Sequence, residues 1–204
     1  MSGVPHIDCS PGGERSHSRH LTKEFITGWL DDQIIYRDLG HHPVPFVTEA
    51  WVAGTFTTAA THSDEAKATL AFSDRLIDAF LSCNRYVIGV PMYNFGIPAN
   101  LKAYIDQIVR VGRTFLVDPQ TGTYEGLAKN KKMLVSAARG GSYPKDTPMA
   151  QFDLQESYIR TGFSFMGVTD ISFIYADNLN MRDKARQKSL AAASHSLQQS
   201  LVTW

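Results

Sequence analysis

A hydroxyl- and glycine-rich segment, Asp8-Cys9-Ser10-Pro11-Gly12-Gly13-Glu14-Arg15-Ser16-His17-Ser18-Arg19, runs straight into an apolar stripe at Leu21 and Phe25. A loop of this make-up at the start of a helix suits an anionic group, above all a phosphate. The helix N-terminus supplies unpaired N–H groups and the positive end of a dipole, Ser10, Ser16 and Ser18 supply hydroxyl donors, and Arg15 or Arg19 supplies charge. A plainer reading makes Ser16 an N-cap and the glycines a turn. A second segment, Pro91-Met92-Tyr93-Asn94-Phe95-Gly96-Ile97-Pro98, suits a flat heterocycle: Asn94 and backbone groups bond to its edge while Tyr93 or Phe95 packs beside it. Its alternative is a loop whose aromatics cap the core. In a third, Ala138-Arg139-Gly140-Gly141-Ser142-Tyr143, consecutive glycines let backbone N–H groups come close to a ligand.

Elements must carry these loops to one place. Short apolar runs at Val4–Cys9, Ile34–Tyr36, Tyr86–Val90, Met133–Ala137 and Ile171–Tyr175 read as strands, the third and fourth continuous enough to be buried on both faces. Helical periodicity fills the gaps. It appears at Leu21, Phe25 and Trp29 with Ile26 and Leu30, at Leu70 to Leu81, at Leu101 to Gly112 after Pro98 in a first-turn position, at Phe152 to Met166 and at Met181 to Leu201. Strands alternating with helices imply a parallel sheet covered on both faces, a doubly wound α/β architecture whose ligands bind at the carboxyl ends of the strands. All three loops fall there. Pro5 lacks the N–H that a central ladder uses, so pairing of the first strand is expected to begin at His6. Residues 1–204 read as a single domain with insertions at about 40–63 and 114–130. The first is long and aromatic, and the second is a hairpin turning near Asp118-Pro119-Gln120-Thr121-Gly122.

The 204 residues carry twenty Lys+Arg against twenty Asp+Glu, so nothing in the net charge draws the chain to nucleic acid or an anionic membrane. A composition of 43% hydrophobic, 11% aromatic and 20% charged residues excludes disorder for most of the chain. Cys9 and Cys83 are too few for a disulfide framework and lack partners at zinc spacing, so no metal is expected. No targeting segment or membrane-length apolar run is seen, and the expected location is cytoplasmic.

Taken together and in this order, the Ser10…Ser16-His17-Ser18 loop, the Met92-Tyr93-Asn94-Phe95 run, Arg139-Gly140-Gly141 and Gly167-Val168-Thr169-Asp170 resemble the FMN-dependent NADH:quinone oxidoreductase and NADH-azoreductase family. The resemblance runs from His6 to the last helix. It implies a flavodoxin-like doubly wound five-stranded parallel sheet of order 2-1-3-4-5 with helices on both faces, in a homodimer. It also implies non-covalent FMN, with Ser10, Ser16, His17 and Ser18 on the phosphate, Met92, Tyr93, Asn94 and Phe95 flanking the ring, and Arg139, Gly140 and Gly141 at the pyrimidine edge. Ala138 stands where relatives commonly have Ser, leaving only a backbone contact there. NADH, with NADPH as an alternative donor, would reduce the flavin, which would then reduce a quinone or aromatic azo compound in ping-pong order, with no catalytic side chain. The two insertions, with Trp51, Phe56 and Phe115, are expected to cover the ring from one or both subunits.

Two rival readings use the same residues. Cys9-x5-Arg15-Ser16 with Asp118-Pro119 matches a low-molecular-weight-type Cys-dependent phosphatase, against which stand Glu14, whose charge would repel the substrate, and Pro11, which removes a cradle amide. It also leaves Met92–Phe95 unused. A flavodoxin-type electron carrier would hold FMN without turnover, yet such carriers are usually acidic. His41-His42, Asp31-Asp32 and the cluster Lys129, Lys131 and Lys132 are expected to be solvated.

Overall fold

Each apolar run becomes a strand of one parallel sheet in the computed structural model, which describes residues 3–29, 33–57, 59–202 and 204. Leu30 and the Asp31-Asp32 turn lie outside the described residues. The elements are β1 (Val4–Asp8), α1 (His17–Gly28), β2 (Ile34–Asp38), α2 (Glu49–Thr55), α3 (Asp64–Leu81), β3 (Arg85–Pro91), α4 (Ala99–Ile108), β4 (Phe115–Val117), β5 (Tyr124–Gly126), β6 (Lys132–Ala138), α5 (Leu154–Phe165), β7 (Asp170–Ala176) and α6 (Asp183–Leu201). The five-stranded sheet has the order β2-β1-β3-β6-β7, with every pairing parallel. Without the β4–β5 hairpin this is the expected 2-1-3-4-5.

Alternation along the strands sends side chains to two cores. Val4, Val87 and Leu134 pack under α1 and α6 with Phe25, Leu197 and Trp204, whereas Ile7, Ile88, Met133 and Val135 pack under α3, α4 and α5 with Ile77, Phe80, Leu101, Ile108 and Phe163. Pro5 fits this sheet because of which side its nitrogen faces. Val4 N–H donates towards β2, to Gln33, and Cys9 N–H donates towards β3, to Gly89. N–H direction alternates along the strand, so the Pro5 nitrogen faces β3, and pairing with β3 starts only at His6. The expected start at His6 is therefore right for β3, while β2 is paired from Val4.

Three expectations need correction. The 40–63 insertion contains α2, a seven-residue helix capped by Thr48, whose Oγ1 accepts the Trp51 N–H at 3.2 Å. The α4 stripe stops at Ile108, and Gly112 lies beyond it with φ +75° in the turn before the hairpin. Lys131 is buried rather than solvated: its ammonium donates to the carbonyls of Leu81 and Cys83 at the end of α3 and lies near the Phe80 and Tyr86 rings. Burial pushes its pKa down.

Gly89 sets how closely α1 approaches the sheet. A Cβ there would lie 2.6 Å from Asp8 Oδ1 and 3.1 Å from both the Ser18 carbonyl and Thr22 Cγ2. Asp8 is buried and accepts the Thr22 hydroxyl at 2.9 Å, so it has little room to yield. Gly89→Ala is expected to destabilise the fold by about 1–3 kcal/mol through overpacking. An unchanged urea midpoint would contradict this placement.

Candidate functional site

The carboxyl ends of the strands are joined beyond their last paired residues. Cys9 N–H donates to Gly89, Met92 N–H to the Ala138 carbonyl at 2.8 Å and Arg139 N–H to Ala176 at 2.8 Å. Asn100, at the start of α4, donates Nδ2 to the carbonyls of Cys9 and Leu39 at 2.9 Å each. The three sequence-singled loops therefore leave one edge of the sheet side by side, as a doubly wound sheet requires of a ligand site.

In the first loop Ser16 is the N-cap of α1, accepting the Arg19 N–H at 3.4 Å. The N-cap reading of Ser16 is the one seen directly. Ser10, Ser16 and Ser18 are all buried, with Ser16 Oγ 3.1 Å from Ser18 Oγ and Ser10 Oγ accepting the Gly12 N–H at 3.1 Å. Within the Ser16–Ser18 pair one hydroxyl donates to the other, which leaves a hydroxyl proton for a further acceptor. Buried donors gathered at the first turn of a twelve-residue helix fit a phosphate. His17 follows at the first helical position, where burial, then the charges of Arg186 and His20, lower its pKa and keep the ring neutral near pH 7.

Of the two arginines in this loop, Arg19 is engaged by the protein itself. Arg19 donates Nε to the Ser10 carbonyl at 2.8 Å, Nη1 to Tyr36 Oη at 2.8 Å and Asp38 Oδ2 at 3.0 Å, and Nη2 to Asp38 Oδ1. Arg15 is exposed. Burial alone would raise the Asp38 carboxyl, but hydrogen bonds from Arg19 and from the ring and backbone of His41 outweigh it and hold the group well below the usual carboxylate range. His41 is thus a carboxylate partner, and among the described residues no group could hold a metal ion.

The second loop closes on itself: Tyr93 N–H donates to Gly96 and Gly96 N–H to Tyr93, both at 3.1 Å. Between them Asn94 has φ +47° and Phe95 φ +72°, a left-handed conformation that Asn tolerates and an aromatic rarely adopts. Such strain persists only where the surroundings impose it. Here Leu154 N–H holds the Phe95 carbonyl at 3.0 Å, and Phe152 lies 5.4 Å from the Phe95 ring. Tyr93 and Phe95 remain 44% and 46% exposed, so neither caps the core. A cavity of about 610 Å³ opens beside Tyr93, lined also by Pro11, Leu39, Pro43 and Phe46. Phe46 forms its aromatic wall from the 40–63 insertion, and Phe115 of the second insertion lies 4.7 Å from Phe165.

In the third loop the Arg139 side chain is buried and fully engaged by Asp153, Asp177 and the Tyr175 ring, so its guanidinium serves the protein. Its N–H is used by Ala176 as well, which leaves the Gly140 and Gly141 amides as the donors this loop can offer. Ala138 spends its carbonyl on Met92. The phosphatase reading fails on Cys9, which is wholly buried: burial, then the charge of Asp8, raises its pKa well above the ordinary thiol value, the opposite of a nucleophile. Sequence reasoning missed Asp38, Asn100, Asp153 and Asp177. Asp153 alone carried a local signal, an N-cap residue three before Glu156.

A family model described as a flavodoxin-like fold matches residues 3–201. The chain is 52% identical over 209 residues to FMN-dependent NADH:quinone oxidoreductase 2 of Trichormus variabilis and 51% identical over 209 residues to the FMN-dependent NADH:quinone oxidoreductase of a Nostoc species, each covering 100% of both chains. Among solved structures, an azoreductase from Bacillus anthracis superposes with a TM-score of 0.90 at 25% identity, covering 100% of both chains. An FMN-dependent NADH-azoreductase from the same species in complex with FMN gives 0.84 at 23% identity, over 98% of this chain and 100% of the other.

Asp38 yields a pH dependence. Its folded pKa lies below the ordinary 3.8, so its stabilisation is present above the unfolded value and is lost as pH falls below about 5. Asp38→Asn is expected to cost about 1–2 kcal/mol at pH 7 and to flatten the stability profile between about pH 5 and 3. Urea midpoints across that range would show parallel curves if Asp38 were not the titrating group.

Proposed function

The chain belongs to the flavodoxin-like FMN-dependent NADH:quinone oxidoreductases, and on that premise we propose that it uses non-covalently held FMN to carry reducing equivalents from NADH, or NADPH, to quinones and aromatic azo compounds. The observation that carries the site is the set of buried hydroxyls at the α1 N-terminus, on the same sheet edge as the strained Tyr93–Gly96 turn. Ser10, Ser16 and Ser18 donate to the phosphate together with the first-turn amides of α1, and His17 borders it. Met92, Tyr93, Asn94 and Phe95 flank the ring, whose orientation is fixed because the turn itself is fixed. Gly140 and Gly141 offer amides to its pyrimidine edge, where donors favour negative charge.

Bound FMN supplies the two-electron chemistry, so no protein nucleophile or strict acid–base residue is assigned. The chain's own part is to seat donor and acceptor in turn on one open face and to limit water there. Tyr93, Phe46 and the neighbouring cavity supply apolar surface for a flat acceptor. Phe46 and Phe56 are exposed on the 40–63 insertion, and a second copy of the chain covers them in a homodimer. No described helix is long and apolar enough to cross a membrane; the protein acts in the cytoplasm.

Purified protein is expected to show flavin absorption that bleaches on anaerobic NADH addition and returns with a quinone. A colourless protein that cannot be reconstituted with FMN overturns this reading. Ser18→Ala is expected to weaken FMN binding about tenfold, the scale of one hydrogen bond to a charged group, while leaving the thermal midpoint of the FMN-free protein nearly unchanged. Fluorescence titration with FMN and with riboflavin separates the phosphate contribution, since riboflavin affinity should not move.

A further inference from the structure

The third loop contains more than two glycine amides. Arg139, only 4% exposed, donates Nε and Nη2 to the two oxygens of Asp177 at 2.6 and 3.0 Å and Nη1 to Asp153 Oδ2 at 2.7 Å. Its guanidinium lies 4.1 Å from the centre of the Tyr175 ring. Each carboxylate leads onward to a part of the site. Asp153 Oδ1 caps α5 by accepting the Glu156 N–H at 3.0 Å, and the next residue, Leu154, holds the Phe95 carbonyl. Asp177 Oδ2 also accepts the Ser142 hydroxyl at 2.9 Å, one residue beyond Gly141. The carbonyls of Gly140 and Gly141 accept the N–H groups of Asn180 and Asn178, on the loop that begins at Asp177. One guanidinium therefore joins the Gly140–Gly141 segment to the turn that carries Phe95. It does so while facing two carboxylates, so these three groups sum to −1, while Glu156, paired with Arg160, and Lys145 on the same cavity bring the wider set to neutral.

We propose that Arg139, Asp153 and Asp177 are positioning residues that set the redox potential of the flavin, by fixing the Gly140–Gly141 amides and Phe95 against the ring and through the balance of charge they hold behind that loop. The proposal rests on the FMN reading above. Reduction brings negative charge onto the ring system, and each of these partly buried carboxylates opposes it. Removing one carboxylate takes the three groups to neutral and should favour the reduced cofactor. Removing the guanidinium takes them to −2 and should favour the oxidised one.

The test is the midpoint potential of FMN-loaded protein, read by spectroelectrochemistry, for the unaltered chain, Asp153→Asn, Asp177→Asn and Arg139→Met. Asn is chosen at 153 because it retains the N-cap acceptor. Both Asn variants are expected to bind reduced FMN about tenfold more tightly relative to oxidised FMN, an upward shift of about 30 mV for a two-electron couple. Arg139→Met is expected to shift the other way, and if it fails to fold the two Asn variants carry the test. A merely structural brace would lower the thermal midpoint and weaken both redox forms of FMN alike. Unshifted potentials in FMN-loaded Asn variants therefore overturn the proposal and leave the flavin reading standing, whereas an unaltered chain that takes up no FMN overturns both.

Discussion

Arg19 sits in the first turn of α1 and reaches back over the loop that precedes its own helix. Its guanidinium grips the Ser10 carbonyl and the Asp38 carboxylate together, with Asp8 at 3.6 Å. The paired ends of β1 and β2 are tied through that group to the loop before α1, which fixes where Ser10 stands. Gly40 records how tight the arrangement is: a Cβ there would stand 2.1 Å from the Ser10 oxygen and 2.6 Å from Arg19 Nη2. No side chain fits between them.

The same device recurs on the far side of the site. Arg139, like Arg19, stands where a cation could meet a ligand, and like Arg19 it is consumed by a pair of acidic groups and the protein's own interior. The donors left over at these strand ends are hydroxyls and amides, groups that act through direction rather than charge. The arginines determine where those donors point. This division of labour agrees with a chain whose charges sum to zero.

Much of the sheet was legible because fully buried strands must be apolar throughout, as Tyr86–Val90 and Met133–Ala137 are. The candidate loops were legible because a doubly wound sheet places its ligands at the carboxyl ends of its strands, and three loops rich in glycine, hydroxyl and amide groups fall there. Helix α2 was not, since Glu49–Thr55 is too short to display a periodic stripe and contains Gly54, which packs against Leu70. Lys131 was hidden for another reason: its neighbours Lys129 and Lys132 make it look like part of a charged run, and only the tertiary fold brings the Leu81 and Cys83 carbonyls to it. The partners of Arg19 and Arg139 lie up to 38 residues away in sequence, beyond the reach of any local pattern. Residue type announced donors and acceptors, and only the fold decided which were already taken.

The left-handed turn at Asn94 and Phe95 changes what an arriving planar molecule would have to do. A loop built from unstrained residues would lose freedom on contact, and that loss of conformational entropy would subtract from affinity. Here two backbone bonds within the turn and a third from Leu154 have removed that freedom during folding. Association can therefore proceed with little rearrangement of the receiving surface. A surface fixed in this way would select by shape, since it cannot reshape itself around a bent or bulky ring as a pliable loop would.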